Sequence, residues 1–219
     1  MLPRLYAILD IDLCRDRRLD PAVVLAGFLA GGVRLLQIRD KNSSSAERLA
    51  LARAVVARAR GAGAQVIVND RVDLAVLSGA DGVHVGQDDL GVEDARRIAG
   101  PAAIVGLSTH DEAQVDAALA SAATYLAVGP IFGTRTKATG YTARGLDLVR
   151  YAAGRGKPVV AIGGITLERA PLVIAAGAAA VAVISDLLTG GDPEARTRAF
   201  VSRLDAPPTM GTLNRDSQD

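Results

Sequence analysis

The chain has 219 residues, with 25 Lys and Arg against 24 Asp and Glu and a formal net charge of +1. That balance excludes the broad basic face that nucleic acid or an anionic membrane surface selects, so any recognition of anions must be built locally. Cys14 is the only cysteine, which excludes an intramolecular disulfide and leaves no Cys-based zinc site.

In chain order, the first apolar run covers residues 4–9 and reads as a strand. Asp20 and Pro21 then supply an N-cap and a first-turn proline for a helix with Val24, Leu25, Phe28 and Leu29 on one face. A second strand is expected at 33–38. Ser44-x-x-Glu47 resembles a capping box, followed by Leu49, Ala52, Val55 and Val56 at helical spacing with arginines opposite. Further strands are expected at 65–68, 82–85, 103–107, 124–128, 158–162 and 180–184. Between and after them, helices are expected over 71–77, 92–99, 111–120, 146–153, 167–176 and 194–204. Gly61, Gly79, Gly100 and Gly177 each fall just after a helix, where a left-handed C-cap favours glycine.

Most of the eight strand segments lack apolar/polar alternation, which marks burial on both faces and a parallel sheet. Eight such strands alternating with helices, with polar residues spread evenly after them, imply an α/β chain closed into a single (β/α)8 TIM barrel rather than an open sheet. The length suits that fold, which needs about 200–250 residues. So does a composition rich in short aliphatics and glycine. Residues 1–205 are expected to form one catalytic barrel domain, and 206–219 a disordered tail. No stretch approaches the roughly 18–20 apolar residues of a membrane span. Met-Leu-Pro-Arg does not read as a signal peptide, so the cytoplasm is the expected location.

In this architecture chemistry collects on the loops that follow the strands. Gln37, Arg39 and Lys41 alternate at the end of strand two and should all point into the mouth. Two cations there repel unless an anion sits between them, which suggests a phosphate or diphosphate site, with solvated surface charges as the alternative. Asp70 and Asp89 could share a magnesium ion, which favours one or two carboxylates plus phosphate oxygens. Each could instead cap the helix that follows it, and Asp88 competes with Asp89. His84 reads as a hydrogen-bonded packing residue. His110 is expected in the first turn of a helix capped by Thr109, and Ser108 has a similar capping alternative. The loop 133–137 could fold over an anion or remain solvated. Gly163-Gly164 and Ile184-Ser185 fall where many barrels bind a phosphate through backbone N–H groups. A cationic side and an amide-lined side facing each other suggest transfer between two phosphorylated substrates, with diphosphate leaving.

Six segments together resemble the motif set of the thiamine-phosphate synthase family: Gln37-Ile38-Arg39-Asp40-Lys41, Val68-Asn69-Asp70, Gly82 to Asp89, Gly129 to Lys137, Ala161 to Ile165, and Val183-Ile184-Ser185. The resemblance runs from about residue 4 to 204. It implies that a pyrimidinylmethyl diphosphate and a thiazole phosphate join to give thiamine phosphate and diphosphate, assisted by Mg2+. It also implies that Gln37, Ile38, Arg39, Asp40, Lys41, Asn69, Ser108 and Lys137 bind the pyrimidine diphosphate. Asp70 and Asp89 would hold the metal. Thr134, Arg135, Thr136, Gly164, Ile184 and Ser185 would hold the thiazole phosphate. Arg39, Lys41, Ser108 and Lys137 are expected to carry the catalytic step. Residues 138–144 and the tail depart from the family pattern. The partners expected are small phosphorylated molecules, with a homo-oligomer left open. The rivals are a thiazole tautomerase of the sister family, another phosphate-binding barrel isomerase, and a non-catalytic ligand-binding protein.

Overall fold

The computed structural model describes residues 2–133 and 141–206. Within them, eight strands form a closed barrel in the order β1-β2-β3-β4-β5-β6-β7-β8, and every pairing is parallel. They are β1 (Leu5–Asp10), β2 (Leu35–Arg39), β3 (Gln65–Asn69), β4 (Gly82–Val85), β5 (Ile104–Thr109), β6 (Tyr125–Val128), β7 (Val159–Ile162) and β8 (Ala180–Val183). The helices are α1 (Ile11–Asp16), α2 (Pro21–Ala30), α3 (Ser45–Gly61), α4 (Val72–Ser78), α5 (Val92–Ala99), α6 (Glu112–Ala120), α7 (Gly145–Ala152), α8 (Ala170–Ala175) and α9 (Pro193–Asp205). A short 3-10 turn, Ser185–Leu188, follows β8. No helix of the described residues is long and apolar enough to cross a membrane.

Alternation along each strand sorts the side chains into two layers. Leu36, Ile38, Val66, Val68, Val83 and Val85 face outward and pack under the helices. Tyr6, Ile8, Leu35, Ile67, Tyr125, Ala127, Val160, Ala180 and Ala182 fill the barrel interior. Burial on both faces explains why the strands read as unbroken apolar runs. Gly106 shows how tight the interior is. A Cβ there would sit 2.2 Å from Tyr125 Cζ and 2.4 Å from His84 Nδ1, so the two rings occupy the volume a larger residue would need.

Local signals behave as expected at several helix starts. Asp20 accepts from Ala22 N ahead of Pro21, and Ser44 with Glu47 forms a capping box. Four expectations need correction. The six-residue α1, directly after β1 and capped by Asp10, was not anticipated. Helix α6 is capped by Asp111, not Thr109, which is the buried last residue of β5. Helix α8 occupies only part of the expected 167–176 span. Gly61 ends α3 itself, and the positive φ of 68° falls two residues later at Gly63. Beyond Ala206 the expected tail lies outside the described residues.

Candidate active site at the barrel mouth

The C-terminal ends of the strands surround a cavity of about 780 Å3. Strand alternation on β2 puts Gln37 and Arg39 on the interior side, and Lys41, two residues on, joins them in the lining. Ile38 and Asp40, also expected to bind substrate, have the opposite parity and do not line the cavity with their side chains. Ile38 is buried against the helices. Asp40 turns back to accept from Asn42 N and Ser43 N at 3.3 and 3.1 Å, with Arg15 3.6 Å away.

The two cations do not face each other unscreened, as their spacing suggested. The β1–β2 register sets Asp10 opposite Arg39, and Arg39 Nη1 donates to Asp10 Oδ2 at 2.6 Å, both side chains being largely buried. Lys41 Nζ donates to Asp70 Oδ2 at 2.5 Å. Arg39 Nε is buried without a hydrogen-bond partner, so this guanidinium keeps one donor that protein groups do not satisfy. Asp10 was missed in the sequence because only the cross-strand register shows what it faces.

Asp70 is not a helix cap. Arg71 occupies that position for α4 without a side-chain cap bond. Asp70 instead adopts a left-handed φ of 62°, with its N–H donating to His84 O at 2.7 Å. Asp89 is not a cap either, because Gly91 starts α5. Its Oδ2 accepts from Gly86 N at 2.8 Å, which folds the loop after β4 back on itself. Partial burial, and then the neighbouring Asp70 carboxylate, push the Asp89 carboxyl above its ordinary range, opposed by the Gly86 N–H and the Lys41 charge. Asp88 also lines the cavity, but it is Asp89 that stands against Asp70. Among the described residues no cluster reaches three potential metal-ligating side chains. Two facing carboxylates are the donor set a hard divalent cation shares with phosphate oxygens and water.

Behind this charged side runs a buried hydrogen-bonded chain. Gln37 Nε2 donates to Tyr6 Oη at 2.9 Å, Tyr6 and Tyr125 hydroxyls meet at 3.0 Å, and Tyr125 Oη meets His84 Nδ1 at 3.0 Å. His84 Nε2 then meets Ser108 Oγ at 2.9 Å. Burial holds both tyrosine hydroxyls well above the usual phenol range, so they stay protonated. With Gln37 as donor, the protons can run one way to the Nε2–H of His84, leaving the Ser108 hydroxyl proton to point elsewhere. The reading of His84 as a hydrogen-bonded core residue holds. The two tyrosines were not anticipated as its partners.

The opposite wall is made by Gly163, Gly164, Ile184 and Ser185. The glycines are required by packing as well as by any ligand. A Cβ on Gly163 would lie 2.7 Å from Pro130 Cα, and one on Gly164 would lie 2.6 Å from Gly133 O. The loop after β6 thus rests on the loop after β7, tied by Ile131 N to Ile162 O and Phe132 N to Gly163 O. His110 Nδ1 donates to Gly129 O at 2.6 Å, and its ring stacks on Tyr141. Thr134, Arg135, Thr136 and Lys137 lie outside the described residues. Gln37, Arg39, Lys41, Asn69, Asp70, Asp89 and Ser108 therefore share one cavity with Gly164, Ile184 and Ser185.

Comparison with known proteins bears on this arrangement. Residues 5–187 match the family model described as thiamine monophosphate synthase. The thiamine-phosphate synthase of Koribacter versatilis (strain Ellin345) is 46% identical over 209 residues, covering 93% of this chain and 96% of that one. That of Mycobacterium sp. (strain JLS) is 45% identical over 209 residues, covering 87% and 92%. Among solved structures, thiamine phosphate pyrophosphorylase from Pyrococcus furiosus superposes with a TM-score of 0.82 at 32% identity, covering 93% and 98%. A 3-hexulose-6-phosphate synthase, at 18% identity and a TM-score of 0.66, shares the fold alone.

Proposed function

The chain belongs to the thiamine monophosphate synthase family, and from that premise we propose that it is a thiamine-phosphate synthase, a transferase. It joins 4-amino-2-methyl-5-pyrimidinylmethyl diphosphate to 4-methyl-5-(2-phosphoethyl)thiazole, giving thiamine phosphate and diphosphate, or to its carboxylated form, which releases CO2 as well. The observation that carries the reading is the convergence of Arg39, Lys41, Asp70 and Asp89 on one side of a cavity whose far wall is lined by glycine backbone and Ser185.

In the reaction the methylene C–O bond breaks, and its electron pair leaves with diphosphate. The thiazole nitrogen lone pair then forms the new C–N bond. No proton need be removed from carbon, which agrees with a mouth whose histidines are already hydrogen-bonded. The task is to stabilise negative charge growing on the leaving oxygen, and preorganised cations do this best. Arg39 and Lys41 are held for it by Asp10 and Asp70. The unsatisfied Nε of Arg39 fits an additional acceptor. Asp70 and Asp89 fit magnesium, which when bound would neutralise charge on the diphosphate. Gln37, Asn69 and Ser108 would orient the pyrimidine diphosphate, with Ser108 steadied by His84. Lys137 would add a cation to the leaving group. Gly164, Ile184, Ser185 and the segment Thr134-Arg135-Thr136 would hold the thiazole phosphate. A biosynthetic step between two small phosphorylated molecules suits the cytoplasm.

Purified protein given both substrates and Mg2+ should release diphosphate and thiamine phosphate in equal amounts. Absence of both products would overturn the proposal, and isomerisation of the thiazole alone would favour the tautomerase reading.

A further inference from the structure

The two ends of the cavity hold their cations differently. At the diphosphate end, Arg39 and Lys41 each touch a carboxylate. At the far end two other arginines join the lining, Arg17 just after α1 and Arg169 at the start of α8. Among the described residues, no ion pair involves either one. The acids close by make no ion pair with either, although Glu168 feels the charge of Arg169 as well as that of Arg196. Asp186 pairs with Arg196 at 2.7 Å and accepts from Leu167 N, while Glu168 is exposed with Arg196 3.8 Å away.

Both arginines are anchored to the wall that the glycines and Ser185 build. Arg169 Nη1 donates to Gly164 O at 3.0 Å, and its guanidinium lies 4.7 Å above the Phe132 ring. Arg17 Nη1 reaches Ser185 O at 3.5 Å. Carbonyls and a ring face orient a guanidinium without cancelling its charge, and most of its five N–H donors stay available. Topology sharpens the point. In the closed barrel β8 lies between β7 and β1, so Ser185 at the end of β8 is bracketed by Arg169 from the β7 side and Arg17 from the β1 side.

We propose that Arg17 and Arg169 form a guanidinium clamp on the phosphate of the thiazole substrate and select a phosphomonoester over the corresponding alcohol. This rests on the function proposed above. It assigns the far wall a cationic rim where the sequence suggested a neutral, amide-lined one. Arginine suits the task because its planar fork meets phosphate oxygens in pairs.

The test compares wild type, Arg17→Ala, Arg169→Ala, the double variant and both lysine variants, with thiazole phosphate and thiazole alcohol as acceptors. Each alanine substitution is expected to raise KM for thiazole phosphate about ten-fold and the pair about a hundred-fold. Turnover of the alcohol and KM for the pyrimidine diphosphate should change less than about three-fold, and lysine should restore part of the loss. Equal effects on the phosphate and the alcohol acceptors, or none on either, would overturn the clamp. Calorimetric titration with ethyl phosphate, run with Mg2+ and diphosphate saturating the other end, separates the two proposals. A wild type inactive in condensation that binds ethyl phosphate at least ten-fold tighter than the double variant keeps the clamp and removes the function. Equal affinity, or no binding by wild type, removes the clamp.

Discussion

Asp10 joins the fold to the site and can be tested alone. Its carboxylate accepts from Leu13 N at 2.9 Å, capping α1, and from Arg39 Nη1 at 2.6 Å. Losing an N-cap acceptor costs about 1 kcal/mol. Leaving a fully buried cation without its partner costs about 3–5 kcal/mol. The Arg39 side chain is 14% exposed at a cavity that admits water, so the cost falls below the fully buried range, to about 2–3 kcal/mol. Asp10→Ala should therefore lose about 3–4 kcal/mol in urea unfolding, or about 10 °C in Tm for a chain of this size. Asp10→Asn keeps one acceptor oxygen but sets its amide NH2 against the second donor, because Leu13 N and Arg39 Nη1 use different carboxylate oxygens, so about 1–3 kcal/mol is expected. Saturating diphosphate with Mg2+ should restore more of the loss in Asp10→Ala than it adds to wild type, since an anion can replace the carboxylate beside Arg39. A loss under 1 kcal/mol in Asp10→Ala, or equal stabilisation of both proteins by diphosphate, would refute this account.

Four further outcomes are expected. Burial, reinforced by the Asp10 carboxylate, pushes the Cys14 thiol up to about 11, so at pH 8 its alkylation should be at least roughly 100-fold slower than in urea; comparable rates would show the thiol is not enclosed. Because that value is raised on folding, the Cys14 contribution is present below the ordinary thiol range and lost as pH climbs towards 11, and a Cys14→Ala protein should show a flatter Tm profile there. Tyr125→Phe removes the link between Tyr6 and His84, which should cost about 1–3 kcal/mol in urea unfolding; a loss below about 0.5 kcal/mol would mean the chain is not a tight network. Diphosphate binding, followed by calorimetry, should weaken at least ten-fold when Mg2+ is chelated, and metal-independent affinity would exclude Asp70 and Asp89 as its metal holders.

The barrel was legible because parallel strands buried on both sides are apolar through their middle, and residues 66–68 or 180–183 carry that mark without needing partners. Helices with a chemical start signal, such as Asp20-Pro21 and Ser44-x-x-Glu47, were equally clear. What escaped depends on distant register. Helix α1 is six residues long, too short for a period to show, and leaves β1 without a glycine or proline break. Nothing local tells Asp10 that it faces Arg39, or brings residues 6, 84 and 125 together into one hydrogen-bonded chain. Thr109 looked like a cap because a hydroxyl before a helix often is one, yet its Oγ1 serves the Ala127 carbonyl inside the sheet. Asp88 and Asp89 differ only in how the loop turns, and the Gly86 N–H decides it.

The charge arrangement follows from a conflict between stability and binding. A site that attracts diphosphate needs cations, but cations held together without ligand would repel each other and strain the fold. Here two cations are set against the three carboxylates of Asp10, Asp70 and Asp89, so that end of the cavity is not cationic before ligand arrives. Two of those carboxylates face each other, and repulsion between them is relieved when a divalent cation enters. Magnesium held there would reverse the sign of the local charge, so anion affinity would arise together with metal affinity rather than beforehand. At the far end Arg17 and Arg169 lean on carbonyls and form no ion pair among the described residues, with only the exposed Glu168 set in the field of Arg169. There repulsion is limited by exposure to water and by placement on either side of β8, which would let that end hold a smaller anion without a metal.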